Sequence, residues 1–102
     1  MKYLITALTG TTPVPPDQAV ELWEAAREWI GTRMIETRFG IMSIFADGSG
    51  AIAVVDAEKH EEVFDLLLSY PLYPFFRWEV KPLCEWEHAF TTIIEGYIRG
   101  AG

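Results

Sequence analysis

A predicted hairpin in the middle of the chain constrains the fold more than any other feature. The turn DGSG, Asp47–Gly50, joins two short segments, 37–45 and 51–56, that are rich in β-branched, aromatic and other apolar residues. A short glycine-containing loop between two such segments is typical of an antiparallel β-hairpin. We therefore expect the fold to be built around two neighbouring antiparallel strands.

A strand and a helix are predicted before this hairpin. Residues 2–9 are rich in β-branched and apolar residues and are followed by Gly10, so they are predicted to form a strand. The three prolines between positions 13 and 16 exclude regular structure in the segment that follows this strand. Apolar residues then recur at helical spacing from Asp17 to about Glu36. The predicted buried stripe of this helix consists of Val20, Trp23, Ala26, Ile30 and Met34.

A second helix and a fourth strand are predicted after the hairpin. The helix is expected to stop before Pro71, and the strand to run from about Phe75 to Lys81. The predicted buried face of the helix consists of Val63, Phe64, Leu67 and Leu68. The order β-α-β-β-α-β is that of the ferredoxin-like α+β fold, in which two helices cover one face of an antiparallel sheet.

The C-terminal segment adds a third helix to this arrangement. Its apolar stripe consists of Trp86, Phe90, Ile93, Ile94 and Tyr97. We therefore divide the chain into a ferredoxin-like domain, 1–84, and a helical extension, 85–102, which we expect to contact other subunits.

Both faces of the predicted sheet carry apolar residues, although two helices cover only one of them. The second strand is predicted to place Phe39, Ile41 and Phe45 on one side and Met42 and Ile44 on the other. The third strand is predicted to place Val55 opposite Ile52 and Val54. An apolar sheet face needs a partner, so we expect two copies to pack face to face as a homodimer or as part of a larger homo-oligomer.

Composition narrows the possible partners and compartment. The formal net charge is −7, with 15 acidic and 8 basic residues, and the basic residues form no cluster, so nucleic acids and anionic membranes are unlikely partners. The single cysteine, Cys84, excludes an internal disulfide and fits a reducing compartment. The N-terminus does not have the pattern of a signal peptide, so a cytoplasmic location is predicted.

The segment SYPLYPFFRWEVKPLC, residues 69–84, resembles the end of the muconolactone isomerase family, where a proline-bracketed turn leads into a last strand ending in Glu-Val. The resemblance extends over roughly residues 1–86, including the first strand, the proline-rich loop and VVDAEKHEEVFDLL, residues 54–67. It implies the dimeric α/β barrel arrangement of two face-to-face sheets. It also places Ala26 where the family has a carboxylate, which implies that the lactone isomerisation itself is absent.

Six residues are candidates for a site. Glu79 or His60 would serve as an acid/base group; the alternatives are an ion pair of Glu79, for example with Arg38, and a structural, partly buried role for His60. Trp23, Arg27, Arg38 and Trp78 are the candidate ligand-binding residues, because tryptophan stacks on planar molecules and a guanidinium binds carboxylates. The alternative is that both tryptophans belong to the core.

Three functional hypotheses remain open from the sequence. The first is a cofactor-independent isomerase, similar to muconolactone isomerase, that binds a planar, anionic, aromatic-derived metabolite. The second is a cofactor-free monooxygenase of the same superfamily, and the third is a non-enzymatic binding or assembly module. No metal is predicted, because His60, His88 and Cys84 lack the spacing of metal ligands.

Overall fold

The sheet has four antiparallel strands. The computed structural model describes residues 1–36 and 39–101. The strands are β1 (Lys2–Thr9), β2 (Phe39–Ile44), β3 (Gly50–Asp56) and β4 (Phe76–Leu83). They lie in the order β2-β3-β1-β4, and each neighbouring pair is antiparallel.

Three helices in the described part of the chain accompany the sheet. They are α1 (Ala19–Ile35), α2 (His60–Leu68) and α3 (Trp86–Ala101), and a short 3₁₀ turn, Tyr73–Phe75, precedes β4. The predicted ferredoxin-like order with an additional C-terminal helix is confirmed. No helix in residues 1–36 and 39–101 is long and apolar enough to cross a membrane.

The core lies between the sheet and the first two helices. Along β1 every second residue is buried, namely Tyr3, Ile5 and Ala7. These residues point to one side of the sheet, which we call the inner face. Val63, Leu66 and Leu67 of α2 join the same buried cluster, and Trp29 of α1 packs against it.

The predicted buried stripe of α1 is wrong in part. Of its five residues Ala26 is buried and Ile30 is half-buried, but Val20, Trp23 and Met34 are exposed. The side that approaches the sheet instead includes Leu22 and Trp29, so the helix is rotated by about one residue from the predicted stripe. The reason is that α1 carries apolar residues on two sides, and periodicity alone does not choose between them.

The predicted face of α2 is wrong in part. Val63 and Leu67 are buried as predicted, but Leu66 is the third buried residue, and Phe64 and Leu68 are exposed. The run Leu66, Leu67 and Leu68 covers almost a full turn of a short helix, so only part of it can face the sheet.

The predicted alternation in β2 is also corrected. The register of β2 against β3 shifts between Phe39 and Ile41, so Gly40 is an extra residue in a β-bulge. Phe39 therefore shares the inner face with Met42 and Ile44, whereas Ile41 lies on the opposite side.

The opposite side of the sheet, which we call the outer face, is not covered by α1 or α2. It includes the half-buried residues Leu4, Thr6, Leu8, Ile52 and Val54. Cross-strand pairing of Leu8, Thr6 and Leu4 with β4 adds the exposed residues Arg77, Glu79 and Lys81 to this face. The face is thus apolar at its centre and charged along β4.

Helix α3 extends away from this two-layer body. The chain measures 65 × 29 × 24 Å, an elongation that a compact domain of this length does not show. Every residue of α3 from Trp86 to Gly100 except Ala89 is exposed.

Candidate functional site

A cavity of about 190 Å³ lies between α1 and the inner face of the sheet. Its lining is almost entirely apolar and aromatic. The residues around it are Ile5, Ala7, Trp23, Trp29, Ile30, Phe39, Met42, Ile44, Gly48, Gly50, Ala51, Ile52, Ala53, Leu67, Tyr70, Phe76 and Trp78. It is therefore a site for an apolar or aromatic group rather than for a charged one.

One side of the cavity is a continuous series of aromatic rings. Trp29 contacts Tyr70 with 5.1 Å between ring centroids, and Tyr70 contacts Trp78 at 5.7 Å. Phe76 continues the series from Trp78 to Trp23, at 6.1 Å and 6.2 Å. Most of these contacts are edge-to-face, the arrangement that aromatic quadrupoles favour. Since each ring restrains its neighbours, this aromatic wall is pre-formed.

Two of the polar groups on this wall are already bonded within the protein. The Trp78 indole Nε1–H donates to the backbone oxygen of Tyr73 at 3.0 Å, and the Tyr73 ring stacks on Trp78. The Trp29 Nε1–H donates to Ser69 Oγ at 3.1 Å. These hydrogen bonds fix the orientation of both indoles and leave neither N–H available to a ligand.

Among the described residues of the wall, the Tyr70 hydroxyl and the indole N–H of the exposed Trp23 remain without a hydrogen bond inside the protein. Tyr70 is half-buried, and no hydrogen bond joins its hydroxyl to any residue in the described part of the chain. Burial raises the pKa of Tyr70 above its ordinary value of 10.0. The phenol is therefore protonated at neutral pH and can donate a hydrogen bond to a ligand oxygen.

Of the predicted ligand-binding residues, Trp23 and Trp78 line the cavity. Trp23 is exposed and lies at its edge, whereas Trp78 is half-buried and belongs to the aromatic wall. Arg27 does not line the cavity; it lies with Trp23 and Glu24 around a separate shallow depression on the surface of α1. Arg38 falls outside the described residues.

Glu79, the first acid/base candidate, is separated from the cavity by the sheet. It pairs with Thr6 across β1 and β4 and points to the outer face, while its neighbour Trp78 points to the inner face. Glu79 is exposed and makes no ion pair with any residue in 1–36 or 39–101.

His60, the second acid/base candidate, bonds to a core tyrosine. Its Nδ1 lies 2.6 Å from the Tyr3 hydroxyl, and the two rings meet edge to face with centroids 5.6 Å apart. Tyr3 is only 2% exposed, so this contact ties the start of α2 to β1. His60 is not among the residues that line the cavity.

Trp29 and Tyr70 contribute to the site without having been predicted. Trp29 was missed because the stripe chosen for α1 was rotated away from it. Tyr70 lies directly before Pro71, a position at which the chain is disfavoured from continuing a helix. This position is the sequence feature that could have indicated a role for Tyr70 outside α2. Among the described residues, no three His, Cys, Asp or Glu side chains lie close enough together to hold a metal ion.

Comparison with solved structures identifies similar folds, including the following two. The chain superposes on muconolactone isomerase with a TM-score of 0.73 and 25% sequence identity, covering 83% of this chain and 90% of that one. It also superposes on 5-chloro-2-hydroxyhydroquinone dehydrochlorinase from Burkholderia phenoliruptrix AC1100, in complex with 2,5-dihydroxybenzoquinone. That superposition has a TM-score of 0.67 and 15% sequence identity, and it covers 86% of this chain and 98% of that one. No family model matches the sequence, and no curated protein matches it. The chain thus has the muconolactone isomerase-like fold.

Proposed function

We propose that this chain, which has the muconolactone isomerase-like fold, binds a planar, single-ring metabolite with a carbonyl oxygen in the cavity between α1 and the sheet. The observation that carries the proposal is the aromatic wall with one unbonded hydroxyl, that of Tyr70. The rings would contact the faces and edges of the ligand, and Tyr70 would donate a hydrogen bond to its carbonyl oxygen.

The size of the cavity supports a ligand of one ring. An apolar protein cavity of about 150 Å³ holds one benzene molecule. A volume of about 190 Å³ leaves space for a ring with a small substituent. A fused two-ring or three-ring system would exceed this volume and would extend past the open edge of the cavity near Trp23.

The charge of the lining supports a neutral ligand better than the anionic ligand predicted from the sequence. No Lys, Arg or His in residues 1–36 and 39–101 lines the cavity. A carboxylate transferred into such a lining would lose its hydration without gaining a cationic partner. Arg38 precedes Phe39 of the lining in the sequence, and it stays a candidate partner for an anion.

A matched pair of probes tests the proposal. Acetophenone and benzoate have the same ring, and only benzoate is charged at neutral pH. Titration of each into the ¹⁵N-labelled protein would be followed through the four tryptophan indole N–H signals. We expect acetophenone to shift the signals of Trp23, Trp29 and Trp78, which line the cavity, and to leave that of Trp86 unchanged.

The Tyr70→Phe variant tests the hydrogen bond. Loss of one neutral hydrogen bond should raise the acetophenone dissociation constant roughly two- to tenfold. The same variant should leave the affinity for toluene, which has no carbonyl, unchanged. Equal shifts of all four indole signals, or no shifts, would count against binding in the cavity; tighter binding of benzoate, reduced in Arg38→Ala, would favour an anionic ligand.

Proton-transfer isomerisation is a second candidate function, supported by the 25% identity with muconolactone isomerase. The protonated Tyr70 would polarise a ligand carbonyl, and a water molecule would accept and return the transferred proton, because no described residue that lines the cavity is a carboxylate or an imidazole. Incubation with muconolactone, followed by NMR, would detect turnover; the position of Ala26, where the family has a carboxylate, predicts none with this lactone. Because Glu79 lies on the outer face, we expect any such activity to survive Glu79→Gln and to fall in Tyr70→Phe. Oxygen uptake with a phenolic substrate would instead indicate the monooxygenase alternative.

The outer face supports the predicted face-to-face homodimer. Leu4, Leu8 and Val54 form an apolar centre that α1 and α2 do not cover. We propose that the same face of a second copy covers it. Val54→Lys would place a charge in this contact and is expected to lower the mass measured by sedimentation, whereas Glu79→Gln at the margin should not.

A further inference from the structure

Helix α3 presents a large apolar surface that no other described part of the chain covers. Its exposed apolar side chains are Trp86, Phe90, Ile93, Ile94, Tyr97 and Ile98. Each of them is between 54% and 77% exposed. None of these residues belongs to the cavity or to the outer face, so the apolar surface of α3 is distinct from both.

The apolar residues of α3 follow the pattern of a helix that packs against other helices. At 100° per residue they span an arc of roughly 140° on one side of the helix. Trp86, Phe90, Ile93 and Tyr97 alternate at spacings of four and three, the seam of an antiparallel or parallel helix pair, and Ile94 widens that seam. A stripe of this kind is complementary to another helix of the same sequence.

We propose that α3 pairs with α3 of a second copy in antiparallel orientation. The exposed apolar area of the α3 stripe is large enough for a contact with a second copy of the chain. Three aromatic side chains at the observed exposures, each about 150–250 Å² when fully exposed, contribute roughly 400 Å² together. With the three isoleucines the stripe approaches the roughly 800 Å² per partner of a standard stable interface. A second copy supplies an identical stripe, and a two-fold contact then closes without leaving either helix uncovered.

The distribution of charge selects the antiparallel orientation. Glu85 and Glu87 lie at the start of α3, and Arg99 lies near its end. In a parallel pair the glutamates of the two copies would be at the same level, and like charges would repel. In an antiparallel pair the acidic start of one helix lies level with the end of the other, where the described residues after Glu95 include no acidic side chain, and the helix dipoles also oppose.

Small residues on the same helix give the stripe space for a partner. Gly96 and Gly100 are poor helix formers, yet a Cβ at either position would meet nothing within 4 Å. With Thr92, Ile93 and Tyr97 they border a shallow hollow on the helix surface. If the two-fold axis passes near Ile93, Phe90 of one helix lies level with Gly96 of the other, and Trp86 lies level with Gly100. The small residues, which lie along one edge of the stripe, would then be at the level of the partner's large side chains.

Sedimentation of the full chain tests the contact. Ile93→Glu places a charge at the centre of the proposed pair, and it should raise the dissociation constant of that contact by more than about tenfold. His88→Glu, on the polar side of the same helix, is the matched control. We expect the number of copies in the oligomer to fall for Ile93→Glu only. An unchanged mass in Ile93→Glu at the same concentration would overturn the proposal.

Single cysteines test the orientation. In a Cys84→Ser background, Ile93→Cys should form an intermolecular disulfide under mild oxidation, because both copies bring residue 93 to the two-fold axis. Trp86→Cys should not, because antiparallel pairing separates the two copies of residue 86 by about 20 Å along the axis. Efficient cross-linking through residue 86, or none through residue 93, would overturn the antiparallel pair. Acetophenone binding is measured separately and should be unchanged in Ile93→Glu.

Discussion

The close approach of two strands at Gly50 makes a strong prediction about stability. Gly50 is buried and pairs with Leu8 of β1. A Cβ at this position would overlap the carbonyl oxygen of Ala7 and lie 3.2 Å from its carbonyl carbon and 3.3 Å from Leu8 Cα. Because these atoms belong to the backbone of a central strand, Gly50→Ala cannot be accommodated by a change of side-chain rotamer. The end of β3 must move away from β1.

The size of the effect follows from the hydrogen bonds at this end of the strand. Ser49 O accepts from Thr9 N and from Thr9 Oγ1, each at 3.0 Å, and Phe45 N donates to Gly50 O at 2.8 Å. Losing two or three bonds worth about 1 kcal/mol each lowers the free energy of unfolding by about 2–3 kcal/mol. In a domain of this length that corresponds to a fall in Tm of about 10–20 °C.

Urea unfolding monitored by tryptophan fluorescence is the appropriate assay. Gly31→Ala in α1 is the control, because a Cβ at Gly31 meets nothing within 4 Å. That substitution should raise the free energy of unfolding by about 0.5–1 kcal/mol, through better helix propensity. A Gly50→Ala protein as stable as the wild type would refute the assigned close approach of β1 and β3 at this point.

Three further predictions concern other parts of the chain. The raised pKa of Tyr70 contributes stability to the folded state, and this contribution is fully present below about pH 10, the pKa expected in the unfolded chain. The contribution is lost as the pH rises through the pKa of the folded state. In urea titrations at alkaline pH, Tyr70→Phe should therefore lose less stability with rising pH than the wild type. Leu72 is 0% exposed, and Leu72→Ala should lower the free energy of unfolding by about 2–5 kcal/mol in the same assay. Hydrogen bonds from the Ser49 hydroxyl and backbone N–H hold the pKa of Asp47 below its ordinary value of 3.8, so Ser49→Ala should raise that pKa, as measured by NMR titration of the carboxyl group.

The fold was accessible from the sequence because its signals are local. The turn Asp47–Gly50 between two apolar segments determines a hairpin, and Gly48 adopts the positive φ of 76° that this turn requires. Prolines on either side of the helical patterns determine where α1 begins and where α2 has ended. None of these predictions depends on which side of a helix or strand faces the core.

The candidate site was harder to predict from the sequence, because it depends on the direction in which each side chain points. Trp78 and Trp23 were identified, but Trp29 was not, because α1 has apolar residues on two sides and a rotation of one position exchanges them. Glu79 was a candidate on the basis of its residue type, and only the pairing of β4 with β1 showed that the sheet separates it from the cavity. The contribution of Tyr70 depends on ring contacts with residues far away in the sequence, which periodicity does not report.

The β-bulge at Gly40 affects how this protein can change in length. Since Gly40 is an extra residue opposite β3, its removal would leave Phe39, Met42 and Ile44 on the inner face. Strand β2 can therefore lose one residue at this point without exchanging the side chains that border the cavity. An insertion between Met42 and Ile44, in contrast, would turn part of that border to the other side of the sheet. A single glycine thus makes the start of β2 tolerant of a change in length that the centre of the strand does not tolerate.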